Sequence, residues 1–128
     1  RNANIYIQVT RGAARRDFKF PARVRPNLIM TSWPVRFPAD DTLPAGMAVV
    51  TVPDLRWKRR DIKTTALIAQ VMAKQEAYRQ GAGEAWMVDE SGAITEGSSS
   101  NAWIVTADNV LVTRKASNDI LLGGTRTA

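Results

Sequence analysis

Cysteine and histidine are both missing from the 128 residues. Without cysteine there is no disulfide framework, no thiolate metal site and no thiol nucleophile. Without histidine, the usual general base near neutral pH and the commonest zinc ligand are gone as well. Acid–base chemistry therefore falls to Lys, Glu, Asp or Tyr, and no metal site is expected. Aromatic residues are scarce at 7%. No stretch approaches the roughly 18 apolar residues of a membrane-spanning helix, and no charged-then-apolar leader is visible. No membrane partner is expected, and a cytoplasmic setting is. Acidic residues are outnumbered, 12 against 18 Lys and Arg, for a net charge of +6. That excess invites a nucleic-acid reading, yet the basic residues are dispersed and concentrate only mildly over 11–25 and 56–60. No stripe of interleaved aromatics and no nucleic-acid motif accompanies them, so no nucleic-acid partner is expected. A basic surface equally suits small anionic substrates.

What is present reads as an α+β chain with ordinary globular composition, 45% hydrophobic and 23% charged. Residues 4–10 alternate Ile5, Ile7 and Val9 with Tyr6, Gln8 and Thr10, a period-two strand. Residues 11–17 form a charged connection, and 24–31 a second strand. Residues 32–41 carry two prolines and no period, the best linker in the chain. Continuous β-branched residues over 48–52 predict a strand buried on both faces, ended by Pro53. Thr64 or Thr65 can cap a helix reaching Gln80, with Leu67, Ile68, Val71, Met72 and Gln75 at helical spacing and Gly81 and Gly83 stopping it. Hairpins follow over 84–95 and 102–113, and paired glycines precede a helix start near Thr125. The whole predicts antiparallel hairpins packed by one central helix. An opening edge strand and a helix cut at its first turn also make the chain read as a piece of a longer polypeptide.

Four features carry chemistry. Lys63 lies between a strand-like run and a helix, beside Arg59 and Arg60. A bare lysine there is ordinarily just solvated. A cation at a helix N-terminus that is also partly desolvated, however, is pushed toward the free amine that an imine-forming nucleophile needs. Glu96 sits in a turn-like stretch and opens Gly97-Ser-Ser-Ser-Asn101, a polar loop with little value to a core. Backbone N–H groups and hydroxyls there can approach a ligand closely. Gly123-Gly-Thr125 could offer N–H groups to an anion, although paired glycines more often just turn the chain. Arg16 could grip a carboxylate in a bidentate pair.

Together, residues 56–65, 73–77, 81–85, 95–101 and 121–126, with 5–12 and Phe20-Pro21 upstream, resemble the D-amino-acid aminotransferases. These belong to the fold type IV pyridoxal-phosphate enzymes, with the branched-chain aminotransferases and aminodeoxychorismate lyases. The resemblance runs along nearly the whole chain and is most specific at 56–65 and 95–101. It implies a fold type IV architecture: residues 1–36 from the small N-terminal domain, 37–42 as linker, and 43–128 from the large cofactor-binding domain.

By the same resemblance, Lys63 is the catalytic lysine that joins pyridoxal 5'-phosphate as a Schiff base, and Glu96 the partner of its ring nitrogen. Leu121 lies against the ring, Thr125 and the Gly124 backbone form a phosphate cup, and Ser98, Ser99 and Ser100 lie near the cofactor. Arg16 matches the arginine of a substrate-carboxylate trap completed across a homodimer. Two residues later the family commonly has histidine where this chain has Phe18, and isoleucine is common where Gly124 stands. The implied activity is ping-pong transamination between a D-amino acid such as D-alanine and a 2-oxo acid such as 2-oxoglutarate. The alternatives are a branched-chain L-amino-acid or (R)-amine transaminase, a lyase, or a non-catalytic piece that serves folding or dimerisation. The family's N-terminal half-domain and further cup contacts have no counterpart here, so these residues by themselves are expected to show little activity.

Overall fold

The computed structural model describes residues 2–37 and 45–123. The chain divides into two compact units, Arg1–Ala45 and Gly46–Ala128. In the first, β1 (Ala3–Thr10) pairs antiparallel with β2 (Asn27–Pro34), from Ala3 opposite Pro34 to Thr10 opposite Asn27. The alternation over 4–10 is a strand, as expected. The second strand starts three residues later than its apolar pattern suggested, because Pro26 has no N–H to give the ladder. It also runs through Ser32, Trp33 and Pro34, which the sequence had placed in the linker. Ile5, Ile7 and Val9 stay exposed, so alternation fixed the strand but found no cover within this unit.

The second unit holds β3 (Val49–Pro53), α1 (Ile68–Arg79), β4 (Glu84–Val88), β5 (Ile94–Gly97), β6 (Trp103–Val105) and β7 (Leu111–Thr113). One sheet has the order β3-β4-β5, and β6 pairs with β7 separately. β3 and β4 are parallel and α1 is their crossover, while β4 and β5 form an antiparallel hairpin. The expected pattern of hairpins alone is therefore corrected by one βαβ unit. β3 is an edge strand, and its residues alternate between exposed and half-buried rather than being covered on both faces.

The helix starts at Ile68, later than expected. Thr64 Oγ1 accepts the Ala66 N–H at 3.1 Å and the Thr65 carbonyl accepts that of Leu67 at 3.0 Å. These bonds shape a turn before the helix, and Leu67 at the cap position makes no side-chain cap. Its end is as read: Gly81 has φ +71°, its N–H bonds to the Tyr78 carbonyl, and the Ala82 N–H bonds to Ala77. That is a Schellman motif, and it needs the left-handed glycine. The buried face differs from the predicted one. Leu67, Ile68, Val71 and Met72 are exposed, and Ala73 and Ala77 face Ala85 and Met87 with Val50, Val52 and Ala82 around them. Alanines at i and i+4 let the helix lie close on the sheet, which larger side chains would prevent.

Ala77 is fully buried, so Ala77→Leu should force the helix off β4 and destabilise the protein by about 1–3 kcal/mol. A urea unfolding midpoint equal to that of the wild type would contradict this packing.

Candidate functional site

Pro53 ends β3, but the Asp54 N–H still bonds the Val88 carbonyl at 2.8 Å and keeps the chain beside β4. Asp54 then folds Arg56 back on itself. Oδ1 accepts the Arg56 backbone N–H at 3.1 Å and Nε at 3.0 Å, and Oδ2 accepts Nη2 at 2.8 Å. The other end of the guanidinium, Nη1, donates to Glu96 Oε1 on β5. The Thr95 hydroxyl donates to Asp54 Oδ2 at 2.7 Å, with the Met87 carbonyl 3.1 Å away. Arg60 Nε lies 3.2 Å from Asp54 Oδ2, an ion pair without an aligned hydrogen bond, and Arg60 Nη1 lies 3.4 Å from Asp119 Oδ1.

The centre of this network is buried. The side chains of Asp54, Arg56 and Glu96 are 0, 4 and 9% exposed. Charges so placed persist only when paired and bonded. Burial opposes the charge on Asp54, but the Arg56 donors and the Thr95 hydroxyl outweigh it and hold the carboxyl below its ordinary value. Burial likewise opposes the charge on Arg56, and Asp54 and Glu96 outweigh it and raise its pKa.

Glu96 Oε2 accepts the Leu121 N–H at 2.7 Å, and Asn101 Nδ2 donates to the Leu121 carbonyl at 3.3 Å. Ile120 is fully buried and anchors the same segment. Two cavities of about 460 and 470 Å³ share Lys63, Glu96 and Leu121 in their walls. Arg56 and Arg60 line the first, and Lys74, Ser98, Ser99, Ser100 and Gly123 the second. Both volumes fall in the range of small-molecule sites.

Five of the residues singled out from sequence, Lys63, Glu96, Ser99, Ser100 and Leu121, thus border one region. Gly124 and Thr125 lie outside the described residues. Arg16 and Phe18 belong to the first unit, where Arg16 Cζ stands 5.8 Å from the Phe18 ring centroid and Phe18 is fully exposed. Two expectations about local setting are corrected. Lys63 is exposed rather than partly buried, and it precedes the helix by five residues rather than standing at its start. Glu96 is a strand residue, buried on β5, because the hairpin continues to Gly97. Lys63 has no hydrogen bond or ion pair among the described residues.

Sequence reasoning passed over Asp54, Thr95 and Asp119, and gave Arg56 no task. The Asp-x-Arg spacing directly after a strand was the available signal, since it lets the carboxylate bond both the backbone and the guanidinium.

The family model for amino-transferase class IV matches residues 1–128. A D-alanine aminotransferase of Staphylococcus haemolyticus is 40% identical over 126 residues, covering 98% of this chain and 44% of that protein. Another, of Bacillus licheniformis, is 37% identical with the same coverage. The chain thus spans less than half the length of these relatives. The crystal structure of a putative 4-amino-4-deoxychorismate lyase from Legionella pneumophila superposes with a TM-score of 0.80 at 21% identity, over 98% of this chain and 45% of that one. The branched-chain amino acid aminotransferase of Escherichia coli gives 0.78 at 24% identity, over 98% and 43%. These likenesses establish the fold type IV architecture.

Arg56→Ala leaves Asp54 and Glu96 buried without their cation and should cost about 3–5 kcal/mol in chemical denaturation. Asp54, with its folded pKa lowered, stabilises the protein fully above the unfolded carboxyl pKa, and that contribution is lost as pH falls through the lowered value. The urea midpoint should therefore drop more steeply on acidification in wild type than in Asp54→Asn. Parallel pH profiles would contradict the pairing.

Proposed function

The chain belongs to the class IV aminotransferases, a family of pyridoxal-phosphate-dependent enzymes, and we propose that Lys63, Glu96, Ser99, Ser100 and Leu121 form part of its cofactor site. The observation that carries this reading is that Lys63, Glu96 and Leu121 border the same two cavities. The donor set fits the cofactor. Each Glu96 oxygen already takes one donor, but a carboxylate has about four acceptor positions. Room is left for a protonated ring nitrogen, whose charge the buried carboxylate would favour. Among the described residues Lys63 has no ion-pair partner and Ser99 no side-chain hydrogen bond, and Leu121 offers an apolar side chain. Gly124 and Thr125 are proposed to bind the phosphate.

When bound, the cofactor supplies an electron sink for the substrate α-carbon. Glu96, held by Arg56 and the Leu121 N–H, would present its carboxylate to the ring nitrogen and so favour a proton there. Lys63 Nζ holds the cofactor and then moves a proton as general base and acid, the task that histidine performs elsewhere and that no residue of that type can perform here.

The substrates proposed are a D-amino acid such as D-alanine and a 2-oxo acid such as 2-oxoglutarate, with ping-pong kinetics. The two D-alanine aminotransferases at 37–40% identity support that choice over an L-branched-chain or (R)-amine donor. Arg16 and Phe18 are proposed to meet the substrate carboxylate in a cytoplasmic homodimer, with residues 1–36 in the small domain, 37–42 as linker and 43–128 in the large domain. Among the described residues no helix is long and apolar enough to cross a membrane.

Borohydride reduction of the cofactor-saturated protein, followed by peptide mapping, should place a pyridoxyl group on Lys63; an unlabelled Lys63 sinks the assignment. Lys63→Ala should lower transamination by about 10²–10⁴-fold. With 2-oxoglutarate, D-alanine should outperform L-leucine and an (R)-arylamine assayed side by side, and the reverse order would overturn the substrate proposal.

A further inference from the structure

The three serines after Gly97 are not equivalent. Ser98 Oγ donates to Glu84 Oε1, and Ser100 Oγ donates to Glu84 Oε2 at 3.1 Å. Ser99 makes no side-chain hydrogen bond among the described residues, is exposed, and lines the cavity that holds Lys63 and Glu96. The Glu84 carboxylate also accepts the Ala85 N–H at 2.8 Å, and Lys74 Nζ stands 3.6 Å from it. Burial opposes its charge, but the Ser98 hydroxyl, the Ala85 N–H, the Ser100 hydroxyl and the Lys74 ammonium outweigh that and hold the carboxyl below its ordinary value.

The turn itself is tight. The Gly97 N–H bonds the Ser100 carbonyl at 2.7 Å, and the Ser98 N–H bonds the Ala85 carbonyl at 3.0 Å. A Cβ on Gly97 would run into Ser100 Oγ and come within 3.5 Å of Glu84 Cδ. Glycine is what lets one carboxylate reach two serines two residues apart.

We propose that Glu84 is a positioning residue of the cofactor site, which holds the hydroxyls of Ser98 and Ser100 so that Ser99 alone presents its hydroxyl to the ligand. The proposal rests on the cofactor reading above and revises it in one respect: Ser100 helps to build the site without offering its hydroxyl. A purely structural Glu84 would tie Lys74 and the strand start together, lower stability when removed, and have no link to Ser99. A positioning Glu84 acts through Ser99, so the two residues are coupled in cofactor binding.

The test is a double-mutant cycle on the natural protein in its apo form, read by pyridoxal 5'-phosphate titration and by thermal melting without cofactor. Ser99→Ala should weaken binding about fivefold to tenfold, the loss of one hydrogen bond, and leave the apo melting temperature unchanged. Glu84→Ala should weaken binding at least as much, and adding Ser99→Ala to it should cost less than a further twofold. Glu84→Gln, which keeps one carbonyl acceptor, should recover part of the affinity. If Glu84→Ala does not fold, Ser98→Ala/Ser100→Ala takes its place in the cycle, because it removes both donors and leaves the carboxylate with Lys74. Additive losses overturn the proposal, as does a smaller loss for Ser99→Ala than for Ser98→Ala or Ser100→Ala. A labelled Lys63 with an additive cycle overturns this inference alone, whereas an unlabelled wild-type Lys63 removes the cofactor reading and this inference with it.

Discussion

A guanidinium withdrawn from water has to be given anions, and Arg56 has one at each end. Asp54, two residues away, grips Nε and Nη2, and Glu96, forty residues away on β5, takes Nη1. Once that arrangement is set, much of the second unit is set with it. The chain leaving β3 turns where Asp54 requires, and Thr95 is bonded to Asp54 from the neighbouring hairpin. Segment 119–121 is held by the Glu96 carboxylate and the two arginines. Removing one partner would strand the others in a buried site, so the cost of a break greatly exceeds the net worth of the pairs.

The same constraint gives Glu96 a use. Bonded to Arg56 on one oxygen and to the Leu121 N–H on the other, it is held in place in the wall of both cavities. One residue beyond it, Gly97 begins the turn that Glu84 closes. Two carboxylates on one hairpin thus differ in setting: Glu96 borders both cavities, and Glu84 bonds the serines of the loop beside it. Lys63, exposed and with no ion-pair partner among the described residues, approaches the same region from the segment before α1.

Local patterns identified the elements well and their surroundings less well. The alternation over 4–10, the Gly81 stop and the two hairpins, read as 84–95 and 102–113, were legible because they depend on neighbours in sequence, although the first runs on to Gly97. Hydrophobic spacing along α1 favoured Leu67, Ile68, Val71 and Met72, but the sheet took the alanines, since close approach depends on size as well as apolarity. Thr64 read as a helix cap and instead closes a turn before the helix. In the site, Lys63, Glu96 and Leu121 stood out through motif resemblance, and they do border common cavities. Arg56 stood inside the same motif without a role, because its second anion comes from a strand forty residues on. Glu84 looked like the start of a strand, and only the returning hairpin brings two serines to its carboxylate.

Arg56 fixes the Glu96 carboxylate at the cavity wall, and under the proposed reading that carboxylate favours a proton on the ring nitrogen of a bound cofactor. The ¹⁵N chemical shift of ring-labelled pyridoxal 5'-phosphate in the holoprotein reads that proton directly. The protonated pyridinium shift is expected at neutral pH in wild type, with displacement toward the neutral pyridine shift in Glu96→Gln. A neutral-pyridine shift in wild type, or an unchanged pyridinium shift in Glu96→Gln, would contradict it.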